Sequence, residues 1–169
     1  MTQPQWDPSD PRASLLAFGE FFHEHARATF LKDGTHVNIL FIMAENGTMQ
    51  PVPIAKPMTN ESVADTLREQ LPGSNAYGLI HIAEGWGYVP RGRADHTLKQ
   101  IRLGEMHIAD LRDEDKIELL IVSLLSRDGV RKTWLDEIVR QDDAVSLRGS
   151  AELTDSRFPL GNVFTPHKP

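Results

Sequence analysis

The chemistry open to this chain rests on histidines and carboxylates, because its 169 residues include no cysteine. That removes thiolate metal sites, disulfides and cysteine nucleophiles together. The chain has 7 histidines, the side chains best suited to ligate a metal or move a proton near neutral pH. His23 and His25 are the closest pair. On a helix this spacing sends them to nearly opposite sides, whereas helical chelation needs a spacing of three or four. A metal centre would instead have to gather His25 with the remote His36 and His81. No motif in the chain calls for a cofactor, and the expectation is none.

His81 and Glu84 are the candidate catalytic residues. Glu84 alternates with Ile80, Ile82 and Trp86, on a face where a carboxylate needs a partner or a cleft. Desolvated beside Trp86, it could hold a proton and serve as an acid or base. A spacing of three on a strand points His81 to the other face, so the two act jointly only if a bulge at Gly85 reorients Glu84. The plainer expectation is an ion pair between Glu84 and a basic residue on a neighbouring strand. His107, Asp110 and the nearby Glu105 could supply ligands if their segment is helical, with a polar turn as the plainer reading.

The segment 91–103 holds Arg91, Arg93, Lys99 and Arg102 against Asp95, a local charge of 4 − 1 = +3 in a chain of net charge −6. Trp86, Arg91 and Arg93 form a candidate binding set for a phosphate backbone or an acidic protein surface. A pI of about 5.6 argues against general nucleic-acid binding. Phosphate-loop, dinucleotide, zinc-protease and serine-hydrolase signatures are all absent from the sequence.

The elements that must position these residues follow from pattern. Asp10-Pro11 predicts a helix start and Asp33-Gly34 its end. A helical wheel puts Leu15, Phe18, Phe21, Phe22, His25, Ala28 and Thr29 on the apolar face, and Glu20, His23, Glu24 and Arg27 on the polar one. Residues 36–44 read as an interior strand, apolar on both sides. Asn46-Gly47 predicts a hairpin, and Pro51 and Pro53 place the returning strand at an edge. Residues 61–71 form a second helix. Residues 76–89 form a strand whose glycines at 78, 85 and 87 imply a bulge or a close backbone approach. Residues 116–126 and 130–140 form a hairpin about Asp128-Gly129, and 144–153 a last short strand.

Glu84-Gly85-Trp86, then Asp115-Lys116-Ile117-Glu118-Leu119-Leu120, then the Asp128-Gly129 hairpin, resemble a pattern in small uncharacterised bacterial and phage proteins. The resemblance covers residues 76–140 and departs from the pattern in the long basic loop. It implies an α+β fold and brings no known activity.

These readings combine into one α+β domain over 1–169, with a mostly antiparallel sheet built from two hairpins and two helices packed on one face. Residues 1–9 form an arm that Trp6 could pin, 90–115 a long loop or insertion holding a short helix or hairpin, and 154–169 a tail. No stretch reads as a signal peptide or a bilayer span, so the expected location is cytoplasmic. The leading functional expectation is a non-catalytic interaction module, a homo-oligomer or binder of another protein. A small metal-dependent hydrolase using His25, His81 and Glu84, and nucleic-acid contact through 91–102, are the alternatives.

Overall fold

The computed structural model describes residues 2–54, 60–71, 74–89, 95–142, 144–154 and 163–164. Helix α1 (Pro11–Asp33) begins where the sequence predicts. The Asp10 carboxylate accepts from the Ala13 N–H at 3.0 Å, and Pro11 gives up no hydrogen bond because the first N–H groups of a helix have no partner inside it. Gly34 closes the helix in the left-handed region (φ 73°), donating its N–H to the Phe30 carbonyl at 2.8 Å.

The other elements are β1 (Ile39–Ala44), β2 (Met49–Pro53), α2 (Asn60–Gln70), β3 (Ala76–Tyr88), α3 (His96–Leu103), β4 (Lys116–Ser126), β5 (Arg131–Gln141) and β6 (Ala144–Thr154). The six strands form one sheet in the order β2-β1-β3-β4-β5-β6. Every neighbouring pair is antiparallel. The turns at Asn46-Gly47 and Asp128-Gly129 work because both glycines take positive φ, 82° and 91°, which few other residues reach without strain. β2, with Pro51 and Pro53, lies at one edge of the sheet.

Alternation along the strands splits the apolar residues between two cores. Ile80, Ile82, Leu120, Val122, Leu124, Trp134 and Ile138 meet Leu15, Phe18, Phe22, Ala26 and Phe30 of α1. Leu40, Leu79 and Leu125 point the other way and meet Val63, Ala64 and Leu67 of α2, together with Val163. Leu79 and Ile80 are adjacent and serve different cores, so α1 and α2 lie on opposite faces of the sheet. The expectation of two helices on one face is corrected accordingly. Strands apolar on both sides, such as β1 and β3, require a cover on each face.

The face of α1 is also corrected. Its buried residues are Ser14, Leu15, Phe18, Gly19, Phe22, His23, Ala26 and Phe30, a stripe rotated from the predicted one. His23 is buried and His25 exposed, the reverse of the helical-wheel reading. Gly19 explains the rotation, because a Cβ there would sit 2.6 Å from Trp134 Cη2. The helix packs on Trp134 of β5 where it has no side chain.

The β3 glycines mark both features: against β1 the register shifts beside Gly78, where Met43 faces Gly78 but Ala44 faces Ala76, while the β4 side shows close approach. The β3–β4 register runs without a shift from Gly78–Ser126 to Tyr88–Lys116, and the Leu15 side chain fills the space a Cβ of residue 78 would need. Within 95–115 the chain forms α3 and two single 3₁₀ turns. Trp6 docks: its Nε1–H donates to the Glu45 carbonyl at 2.9 Å, and its ring lies 6.3 Å from Phe18 and 6.1 Å from Tyr77. No helix among the described residues is long and apolar enough to cross a membrane.

Candidate functional site

Glu84 is held in a structural ion-pair network. Its Oε1 accepts from Thr35 Oγ1 at 2.8 Å and from the His36 backbone N–H. Its Oε2 lies 3.5 Å from Arg140 Nη2. Arg140 grips both oxygens of Glu118 at 2.9 Å and donates Nη1 to the Gly34 carbonyl at 2.9 Å. The cluster ties the turn after α1 to β3, β4 and β5, and every acceptor in it is engaged.

His81 is 2% exposed, on the face covered by α2. Its Nε2 lies 2.7 Å from Asn38 Oδ1, and burial pulls the imidazole from 6.5 down to about 4. It is therefore neutral at pH 7. Its cross-strand neighbours are Leu40 and Ser123, and Ser123 Oγ pairs with Thr133 Oγ1 at 3.1 Å. His81 and Glu84 project to opposite faces, so the pair does not act jointly.

The three histidines offered as metal ligands are not brought together. His25 is exposed and stacks on Phe21 at 5.9 Å. His36 Nδ1 engages the Val37 carbonyl at 2.8 Å. Among the described residues no group of three or more His, Asp or Glu side chains is arranged to hold a metal. His107 and Asp110 flank a polar turn, in which the His107 N–H reaches Asp110 Oδ2 at 3.3 Å.

Trp86 stands 56% exposed near the end of β3. Arg91 and Arg93 lie outside the described residues, while Lys99 is exposed on α3. The binding set is thus represented here by Trp86 alone.

Sequence reasoning missed a buried charge cluster on the α1 face. Asp136 is 0% exposed. It accepts from His23 Nε2 at 2.6 Å and from Arg27 Nη1. The His23 ring stacks on Trp134 at 5.8 Å, and Lys132 lies over Trp134 at 4.7 Å. The signal was present in two places. His23 and Arg27 are one helical turn apart, and Asp136 interrupts an apolar alternation between Trp134 and Ile138.

An apolar cavity of about 300 Å³ lies between α2 and the β1–β2 hairpin, with Leu40, Val52, Val63 and Leu67 among its lining residues. Among the described residues its polar lining is Gln50, Thr66, Gln70 and Ser74, with no titratable side chain. An acid, base or nucleophile acting there would have to come from elsewhere.

The two edges of the sheet differ. β2 carries prolines at 51 and 53, and these remove ladder donors. β6 is 11 residues long, exposed over most of its length, and contains neither proline nor lysine. Among the described residues no strand pairs with its outer side. Val145 and Leu147 pack on the α1 core, while Ala144, Ser146, Gly149, Ser150 and Ala151 are small and exposed. Val163 is buried in the core under α2, so by that residue the chain has left the outer edge of β6. Comparison with family models, curated proteins and solved structures finds no match.

Proposed function

We propose that this chain is a non-catalytic self-association module that joins copies of itself through β6. The observation that carries the reading is the contrast between edges, one blunted by Pro51 and Pro53 and the other, among the described residues, open for 11 residues. An open edge is a row of backbone donors and acceptors that another strand can satisfy. Small side chains at 144, 146 and 149–151 leave room for close approach. The commitment of Glu84 to Arg140, and of His81 to a buried neutral state, supports a non-catalytic role. A chain without cysteine suits a reducing compartment, so the cytoplasm is the proposed location.

Sedimentation of the untagged chain tests this. The expected particle is a dimer or larger. Lysine at both Ser146 and Ala151, which sets like charges along the edge, should return it to a 19.0 kDa monomer with unchanged circular dichroism. A wild-type chain that stays monomeric at the highest concentration reached removes the proposal. A dimer indifferent to both lysines moves the contact away from β6.

A further inference from the structure

A cavity of about 390 Å³ lies where the first turns of α1 meet the β4–β5 turn and the end of β6. Its polar lining is Arg12, Asp128, Arg131, Lys132, Glu152 and Thr154. The acids are already matched inside the protein. Glu152 pairs with Lys132 at 3.0 Å, and Lys132 also reaches Glu20 at 3.3 Å. Asp128 accepts from Ser126 Oγ and, at 3.1 Å, from the Tyr77 hydroxyl.

The two guanidinium groups have no partner at contact distance among the described residues, although Arg12 stands near enough to Asp128 to help lower that carboxyl's pKa. Among the described residues neither Arg12 nor Arg131 has an ion pair or a side-chain hydrogen bond, and the Nε of Arg131 is buried with nothing to accept its proton. A buried N–H without an acceptor is destabilising, and natural proteins keep few of them. The Arg131 side chain lines the cavity, and a turn of its guanidinium toward a bound oxyanion would give this N–H an acceptor.

The geometry points to a binding site for a small phosphate monoester at this cavity, its phosphate held by Arg12 and Arg131. Planar guanidinium forks match a tetrahedral oxyanion. The cavity has the volume of a small-molecule site, larger than one phosphate needs. Leu16 and Val130 form an apolar wall for an ester group. The proposal is independent of the β6 reading: a monomer could hold the ligand equally well.

The test is an NMR titration of the full chain, at constant ionic strength, with phenyl phosphate, inorganic phosphate and phenol in parallel. Saturable shifts are expected in residues 12–16 and 128–132, with phenyl phosphate tightest and phenol silent. Arg131→Gln and Arg12→Gln should each weaken phenyl phosphate by roughly tenfold. Arg12 is exposed in the first turn of α1, so Arg12→Gln keeps the fold even if Arg131→Gln does not. Absence of saturation, or affinity unchanged in Arg12→Gln, overturns the site. Equal affinity for phosphate and phenyl phosphate overturns the monoester assignment.

Discussion

His23 Nε2 lies 2.6 Å from Asp136 Oδ2, joining residues 113 apart in sequence, and Arg27 engages the other carboxylate oxygen. Because the carboxylate can only accept, the imidazole donates through Nε2. One turn of α1 thus holds an ionised group that is wholly enclosed, against β5. Asp136→Ala leaves the enclosed His23 ring and the Arg27 guanidinium without their shared acceptor, so it should destabilise the chain by about 3–5 kcal/mol. Urea denaturation reads this directly. Pairing Asp136→Leu with Arg27→Leu should recover most of the loss, and a single Asp136→Ala variant with wild-type stability would show the cluster to be energetically idle.

The packing of α1 on Trp134 offers a second measurement. A methyl group at residue 19 would lie 2.6 Å from Trp134 Cη2 and 2.8 Å from Leu124 Cδ1. Ala is the better helix former, by about 1 kcal/mol. Overpacking costs about 1–3 kcal/mol and should dominate, so Gly19→Ala is expected to lower the denaturation midpoint. A raised midpoint would mean that Trp134 yields freely.

Protonation of His81 sets an acid limit on stability. Its folded pKa of about 4 lies below the ordinary 6.5 because burial disfavours the charged ring. The unfolded chain therefore binds the proton first as pH falls. Stability contributed by neutral His81 is complete above about 6.5, declines between 6.5 and 4, and is exhausted below about 4. The shift corresponds to roughly 3 kcal/mol across that window. Denaturation midpoints at a series of pH values should fall less steeply in His81→Gln than in wild type. Identical slopes would assign the acid sensitivity to other groups.

Trp6 anchors the N-terminal arm by one hydrogen bond and two ring contacts. Trp6→Ala should cost about 2–3 kcal/mol, toward the low end for a large aromatic because the site is partly exposed. Its effect on proteolysis within residues 2–10 should be larger than on global stability. Equal protease resistance in Trp6→Ala would show that the arm is held by something other than this ring.

Local chemistry made much of the fold legible in sequence. Asp10-Pro11 and Asp33-Gly34 bracket α1 because capping depends on adjacent residues. Asn46-Gly47 and Asp128-Gly129 turn the chain because positive φ is a property of single residues. Pro51 and Pro53 assign β2 to an edge because they lack donors. Glu84 was legible as an ion-pair former, since a carboxylate amid Ile80, Ile82 and Trp86 needs a cation nearby, although its partner Arg140 was not.

The tertiary structure decided which way each face points. Periodicity shows that α1 has an apolar stripe but not its rotation, and the contact of Gly19 with Trp134 turned the helix so that His23 is enclosed and His25 is left in solvent. Alternation shows that β1 and β3 are apolar on both sides. Only the packed sheet sends α1 to Ile80 and α2 to Leu79. The meeting of Asp136 with His23, the convergence of Arg12 and Arg131, and the open side of β6 arise between elements far apart in the chain. One sequence carries the residue types for such contacts. Their distances follow only when burial of the two cores fixes where each element lies.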